Sequence, residues 1–192
     1  MKKTKEIFYE LREHIPFTLV ATLIAIIVVI IFKNLNTEHL FHILHPLHLF
    51  FSAIVTSAIY YKYKKNIMNA ILIGLIGSII IGSLSDIIFP YLGGLIFGLK
   101  TSFHLSIIEN PTIILSTAIL GSATGIITQL TKLPHFLHVF LSVFASLFYI
   151  LAFSTALTSL QLILTFTIIF IAVLIPCCIS DIIFPLLFIK KN

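Results

Sequence analysis

The chain has 192 residues, 59% of them hydrophobic and only 10% charged, with a formal net charge of +5. Several apolar runs reach the length of a membrane helix, about 18 residues or more, which leaves almost nothing for a water-soluble domain. The small basic surplus lies in short loops, where it signals topology and contact with anionic lipid and argues against a nucleic-acid surface.

In chain order, residues 1–15 are polar and predict a helical segment on the membrane surface, with Ile7, Phe8 and Leu11 toward lipid and Lys5, Glu6 and Arg12 toward water. Met1-Lys2-Lys3 resembles the start of a signal peptide, but Glu6, Glu10 and Glu13 precede the apolar run, so the first span is read as retained. Pro16 suits the first turn of a helix, where its missing N–H is not needed, and span 1 is placed at 16–32. Span 2 is placed at 41–61, with Tyr60 and Tyr61 at headgroup level, and span 3 at 67–89. Gly74, Ser78, Gly82 and Asp86 recur every fourth residue in span 3, a small face that another helix can approach closely.

Residues 91–110 contain Gly93, Gly94 and Gly98 and are interrupted by Lys100 and His104, which favours an interfacial or re-entrant connector over a further span. Span 4 follows at 111–130 with Thr117, Gly121 and Gly125 as its small face, span 5 at 134–153 and span 6 at 160–187, interrupted by Pro176. Cys177 and Cys178, adjacent inside that last apolar run, are no disulfide framework. With the N-terminus in the cytoplasm and six alternating spans, ten basic residues fall inside and only Lys33 and Lys100 outside. That bias predicts both termini on the cytoplasmic side of the cell (inner) membrane.

The hexad Ser-Asp-Ile-Ile-Phe-Pro occurs twice, at Ser85–Pro90 and Ser180–Pro185, and contains the only two aspartates of the chain, Asp86 and Asp181. Each copy follows a His-x-x-His pair, His45/His48 in the first half and His135/His138 in the second, at intervals of 38 and 43 residues from the second histidine to the aspartate. Pro16 aligns with Pro111, and Ser52 and Ser142 each stand four residues after the second histidine of their pair. The chain therefore predicts an all-α polytopic membrane protein whose six transmembrane helices form two inverted three-helix repeats. The surface segment 1–15 precedes the first repeat at 16–90, and the connector 91–110 leads to the second at 111–192.

Histidines at i and i+3 share a helix face, and Pro46 and Pro134 suggest that both pairs lie in a first helical turn. Pro90 and Pro185 each stand four residues after an aspartate. A helical proline cannot donate to that carbonyl, so each hexad is expected to break its helix and offer a carboxylate, a freed carbonyl and a serine hydroxyl. Two imidazoles and one carboxylate are a common donor set for zinc or iron(II). The predicted metal ligands are thus His45, His48 and Asp86 toward the outer face and His135, His138 and Asp181 toward the inner face. His39, His42, His104 and Glu109 lie near the first set, and Glu13, His14, Cys177 and Cys178 near the second. His39, His42, His45 and His48 form an every-third-residue series that suggests a metal-collecting entrance. The plain alternatives are interfacial histidines and a helix-ending aspartate, but ionisable groups within spans are usually functional.

The predicted function is transport or channelling of a divalent transition metal such as zinc or iron, with that ion and the lipid bilayer as partners. The runner-up is a membrane-embedded metal enzyme acting on a lipid or quinone. Haem-based electron transfer would need axial histidines from facing helices, and a scaffold would use the same groups only to pin helices together. Association into a homo-oligomer is left open. Size and span number resemble the substrate-binding subunits of energy-coupling-factor vitamin transporters, in which Ala21-x-x-x-Ala25 would serve helix docking.

Overall fold

Every element of the computed structural model is helical, and it describes residues 2–31, 35–154, 158–178 and 184–188, with side chains from Ile15 onward except at 29, 159, 162, 177, 178 and 186. The elements are α1 (Lys2–Ile31), α2 (Thr37–Tyr63), α3 (Ile67–Ser83), a π-helical turn (Leu84–Ile88), α4 (Phe89–Ile96), α5 (Ser106–Glu109), α6 (Pro111–Thr128), α7 (Lys132–Phe153), α8 (Ser159–Cys178) and α9 (Phe184–Leu187). Among the described residues, four helices are long and apolar enough to cross a membrane: Thr37–Tyr63, the continuous Ile67–Ile96, Pro111–Thr128 and Lys132–Phe153. Two shorter apolar stretches, Ile15–Val28 in α1 and Ile163–Pro176 in α8, fall below that length among the described residues.

Helix starts follow local chemistry. Asn36 caps α2 by accepting from the His39 amide at 3.1 Å, and Asn66 caps α3 by accepting from Asn69 at 3.0 Å. Pro111 opens α6, where an amide is dispensable. Three prolines depart from expectation. Pro16 lies inside α1, which runs unbroken from Lys2, so the polar segment and the first apolar stretch are one helix. Pro46 lies inside α2, so His45 and His48 stand more than two turns from the helix start and not in its first turn. Pro90 does not end its helix. The chain widens into the π turn, in which the Phe89 amide donates to Leu84 O, and then continues as α4.

Residues 97–110 are the connector. Gly98 takes a positive φ of 71°, and the Leu99 amide donates back to Gly94 at 2.8 Å, a helix stop that only glycine makes without steric cost. Gly93 and Gly94 stay helical, and the side chains of Ile168 and of Leu99 and Thr101 fill the space that a Cβ would take. An isolated antiparallel bridge joins Thr101 to Ser154 and fastens the connector to the end of α7.

The most extensive contacts link α2 to α7 and α2 to α6. Phe41 packs on Tyr149 and Phe153 while His48 packs on His138, so α2 and α7 run antiparallel. Gly121 faces the Phe50 carbonyl and Gly125 the Ile54 carbonyl, so α2 and α6 run parallel and are as close as two backbones allow. Ser57 donates across this seam to Ser122 O at 3.0 Å. The predicted small faces are buried at Gly74, Ser78, Gly82, Asp86, Gly121 and Gly125, while Thr117 is only half-buried. Packing is crossed between the halves. Helix α1 packs on α7 and α8, α6 packs on α2 and α3, and neither makes much contact with the helix that follows it among the described residues. Ala21 and Ala25 are buried in this bundle, so they dock α1 internally and present no face to a partner. Tyr60, expected at the headgroups, is also buried.

Candidate metal centre

Three elements converge in the middle of the bundle. Helix α2 brings His45 and His48 one turn apart, the π turn brings Ser85 and Asp86, and α7 brings His138, Ser142 and Ser146 along one face at four-residue steps. All seven side chains are at most 2% exposed.

Asp86 is the hub. Its Oδ2 accepts from His45 Nδ1 at 2.8 Å and from His48 Nδ1 at 2.7 Å. Its Oδ1 accepts from Ser85 Oγ at 2.8 Å and from Ser142 Oγ at 2.7 Å. A carboxylate removed from water carries a large desolvation cost unless its oxygens are satisfied, and four donors meet that need here. Donation to a carboxylate requires that both histidines carry their proton on Nδ1, which leaves a lone pair on each Nε2 of a neutral ring. His48 Nε2 faces His138 Nδ1 at 3.4 Å, and the two rings stack with centroids 5.4 Å apart. His45 Nε2 is buried with no hydrogen-bond partner among the described residues.

The π turn explains what Pro90 does. In an α-helical register Pro90 would strand the Asp86 carbonyl. In the wider i→i+5 register the acceptor that Pro90 cannot serve is Ser85 O. That carbonyl accepts from Ser146 Oγ at 3.0 Å. The proline thus frees an acceptor one residue earlier than expected, and α7 satisfies it. Ser146 was not among the sequence candidates. Its position, four residues after Ser142 and eight after His138, was the available signal.

One ring nitrogen from each of His45 and His48 and one Asp86 oxygen lie within 4.8 Å of one another and could hold a metal ion. Around a tetrahedral ion with bonds of about 2.0–2.1 Å, ligand atoms stand roughly 3.3 Å apart. The present separations of 2.7 and 2.8 Å are hydrogen-bond lengths, so an ion would need these groups to spread by about half an ångström. Both Nδ1 protons would also move to Nε2. The groups fit such an exchange, because His45 Nε2 has no partner to lose and His48 Nε2 would become a donor to His138.

The expectation of two separate sets near opposite faces does not hold for the histidines. Antiparallel packing of α2 on α7 brings the two pairs together, with His138 stacked on His48 and His135 one turn behind, its ring 5.1 Å from that of His138. Asp181 and the side chains of Glu13, His14, Cys177 and Cys178 lie outside the described residues. Toward the start of α2 a second group forms. His104 Nε2 is 2.6 Å from Glu109 Oε2, and the His104 ring stands 5.2 Å from that of His42. Burial pushes the His104 imidazole below its ordinary pKa, against the opposing pull of Glu109. The chain matches no protein-family model, no curated protein and no solved structure, so its chemistry rests on this geometry.

Proposed function

We propose that the protein moves a divalent transition-metal ion, zinc or iron(II) in character, across the membrane through the centre built on His45, His48 and Asp86. The observation that carries this reading is a desolvated carboxylate placed between two imidazoles in the middle of an apolar helical bundle. A purely structural pin would need fewer parts, since polar contacts between membrane helices contribute only about 0.6 kcal/mol each on average. Complete burial of the centre favours a bare ion over the lipid or quinone of the enzyme reading, whose headgroup would need a lateral opening.

The repeated hexad assigns a second station to His135, His138 and Asp181, with Asp181 as the counterpart of Asp86. The His48–His138 contact would let an ion pass from one set to the next without entering lipid. Two inverted three-helix repeats remain our reading of the whole chain, with α1 and α8 completing six spans and both termini cytoplasmic. Its support is the crossed packing. Exchanging α1 with α6, α2 with α7 and α3 with α8 maps the main contacts onto one another. A pair of equivalent bundles sharing the α2–α7 seam can rock about it and open the centre to either side.

The test is uptake of Zn2+ or Fe2+ into proteoliposomes holding the full chain. Wild-type protein should show saturable uptake, and Asp86→Asn and Asp181→Asn should abolish it while still folding. Uptake that is unchanged in Asp86→Asn would refute the assignment.

A further inference from the structure

Beyond the centre, α2 carries a row of polar side chains into its C-terminal half. His48, Ser52, Thr56 and Tyr60 recur at every fourth position, one inclined row of the helix surface, and none is more than 4% exposed. Polar side chains within a span are expensive and tend to mark ion pathways. Thr56 is the informative member. A helical threonine ordinarily donates its hydroxyl to a carbonyl of the preceding turn, as Thr22, Thr124, Thr128 and Thr165 do. Thr56 Oγ1 is fully buried and has no hydrogen-bond partner among the described residues. A buried hydroxyl left unmet calls for a water or an ion that visits it.

The row leads to an opening. A cavity of about 430 Å3 at the junction of α2 and α3 is lined by Tyr60, Lys64, Lys65, Asn66, Asn69 and Phe188. From His48 to Tyr60 the helix rises about 18 Å, the depth from the middle of a hydrocarbon core of about 30 Å to one face. Phe184 lies across this row. Its ring packs against the buried cluster of Tyr60, Ala70 and Ile73. Gly77 makes room for it. A Cβ there would stand 2.8 Å from Phe184 Cε1 and 3.2 Å from Thr56 Cγ2, so the ring and the threonine meet over one glycine. Phe184 belongs to α9, a four-residue helix that touches α2 and α3, and its ring meets that of Phe188 edge-on at 5.2 Å. One short element thus sets one ring against Thr56 and another in the cavity wall.

We propose that the row His48, Ser52, Thr56 and Tyr60 is the inner half of the ion's route, its hydroxyl oxygens standing in for water, and that Phe184 is the gate that closes it. The route rests on the transport reading above, whereas water access to Thr56 and its control by Phe184 do not. Lys64 and Lys65 at the mouth repel a cation, which suits release over capture.

Thiol accessibility in membrane vesicles holding the full chain tests the gate, in a Cys177→Ser, Cys178→Ser background. Thr56→Cys should react slowly with a membrane-impermeant methanethiosulfonate. Adding Phe184→Ala should raise that rate tenfold or more, and only from the side that bears Lys64. Ala58→Cys, equally buried but on the opposite face of α2, should stay unreactive with and without Phe184→Ala. A Thr56→Cys rate unchanged by Phe184→Ala would overturn the gate. Equal gains at Thr56→Cys and Ala58→Cys would also overturn it, since they mean a loosened fold. For the route, Thr56→Val should slow Zn2+ uptake into proteoliposomes tenfold or more and leave Zn2+ affinity in micelles within threefold. Uptake at the wild-type rate in Thr56→Val would refute the route and leave transport standing. Absence of uptake in wild type, with Thr56→Cys opened by Phe184→Ala, would sustain the gate and refute the transport reading.

Discussion

Replacing Asp86 by asparagine separates the two roles that the centre can play. The carboxamide keeps one oxygen for the histidine Nδ1 protons and presents an amino group to Ser85 and Ser142, whose hydroxyls can rotate from donor to acceptor. The apo fold then loses charge assistance at two histidine contacts of 2.8 and 2.7 Å. At membrane-protein values near 0.6 kcal/mol per bond this destabilises the chain by on the order of 1 kcal/mol. Metal binding suffers far more, because the only anionic donor among the described residues of the centre is gone. Loss of a supporting outer partner already costs 10–100-fold in metal affinity. Loss of the carboxylate ligand should therefore exceed about 100-fold, roughly 2.7 kcal/mol. Chelator-competition titration with Zn2+, run beside thermal unfolding of the same preparation, reads both quantities. Affinity within threefold of wild type in a folded Asp86→Asn protein would refute Asp86 as a ligand. A large fall in unfolding temperature without loss of affinity would make the cluster a structural pin.

Other consequences follow from neighbouring contacts. Ser146→Ala leaves Ser85 O without its donor and should lower stability by about 0.6–1.7 kcal/mol, with Zn2+ affinity nearly unchanged, as read by thermal unfolding and titration together. His138→Phe keeps a flat ring beside His48 but cannot exchange a proton with it, and should lower Zn2+ affinity 10–100-fold in the same titration. Gly121→Ala and Gly125→Ala drive a Cβ into the carbonyls of Phe50 and Ile54 and should each destabilise the α2–α6 seam by about 1–3 kcal/mol, measured by thermal unfolding in micelles. A reporter active only in the cytoplasm should be on when fused after Lys65 and off when fused after Lys100, and the opposite pattern would invert the proposed orientation.

The sequence by itself determined the class of protein, since apolar runs of this length cannot be buried in a small water-soluble fold. It also singled out His45, His48 and Asp86, because charged and imidazole groups are rare in such runs and here recur in register with the repeated hexad. Even the close seam was legible, from glycines and serines spaced by four on the third and fourth predicted spans. Tertiary structure decided what those residues face. A helical periodicity fixes which side chains share a stripe but not how two stripes slide past each other, so only the antiparallel register of α2 on α7 could show that His138 meets His48. The same register carries Ser142 to Asp86 and Ser146 to Ser85 O, contacts 56 and 61 residues apart in the chain. Proline reads locally as a helix end because it lacks an amide proton, yet a hydroxyl from another helix supplied the missing donor. Pro90 therefore shaped a π turn inside a continuous helix where local chemistry alone predicted a break.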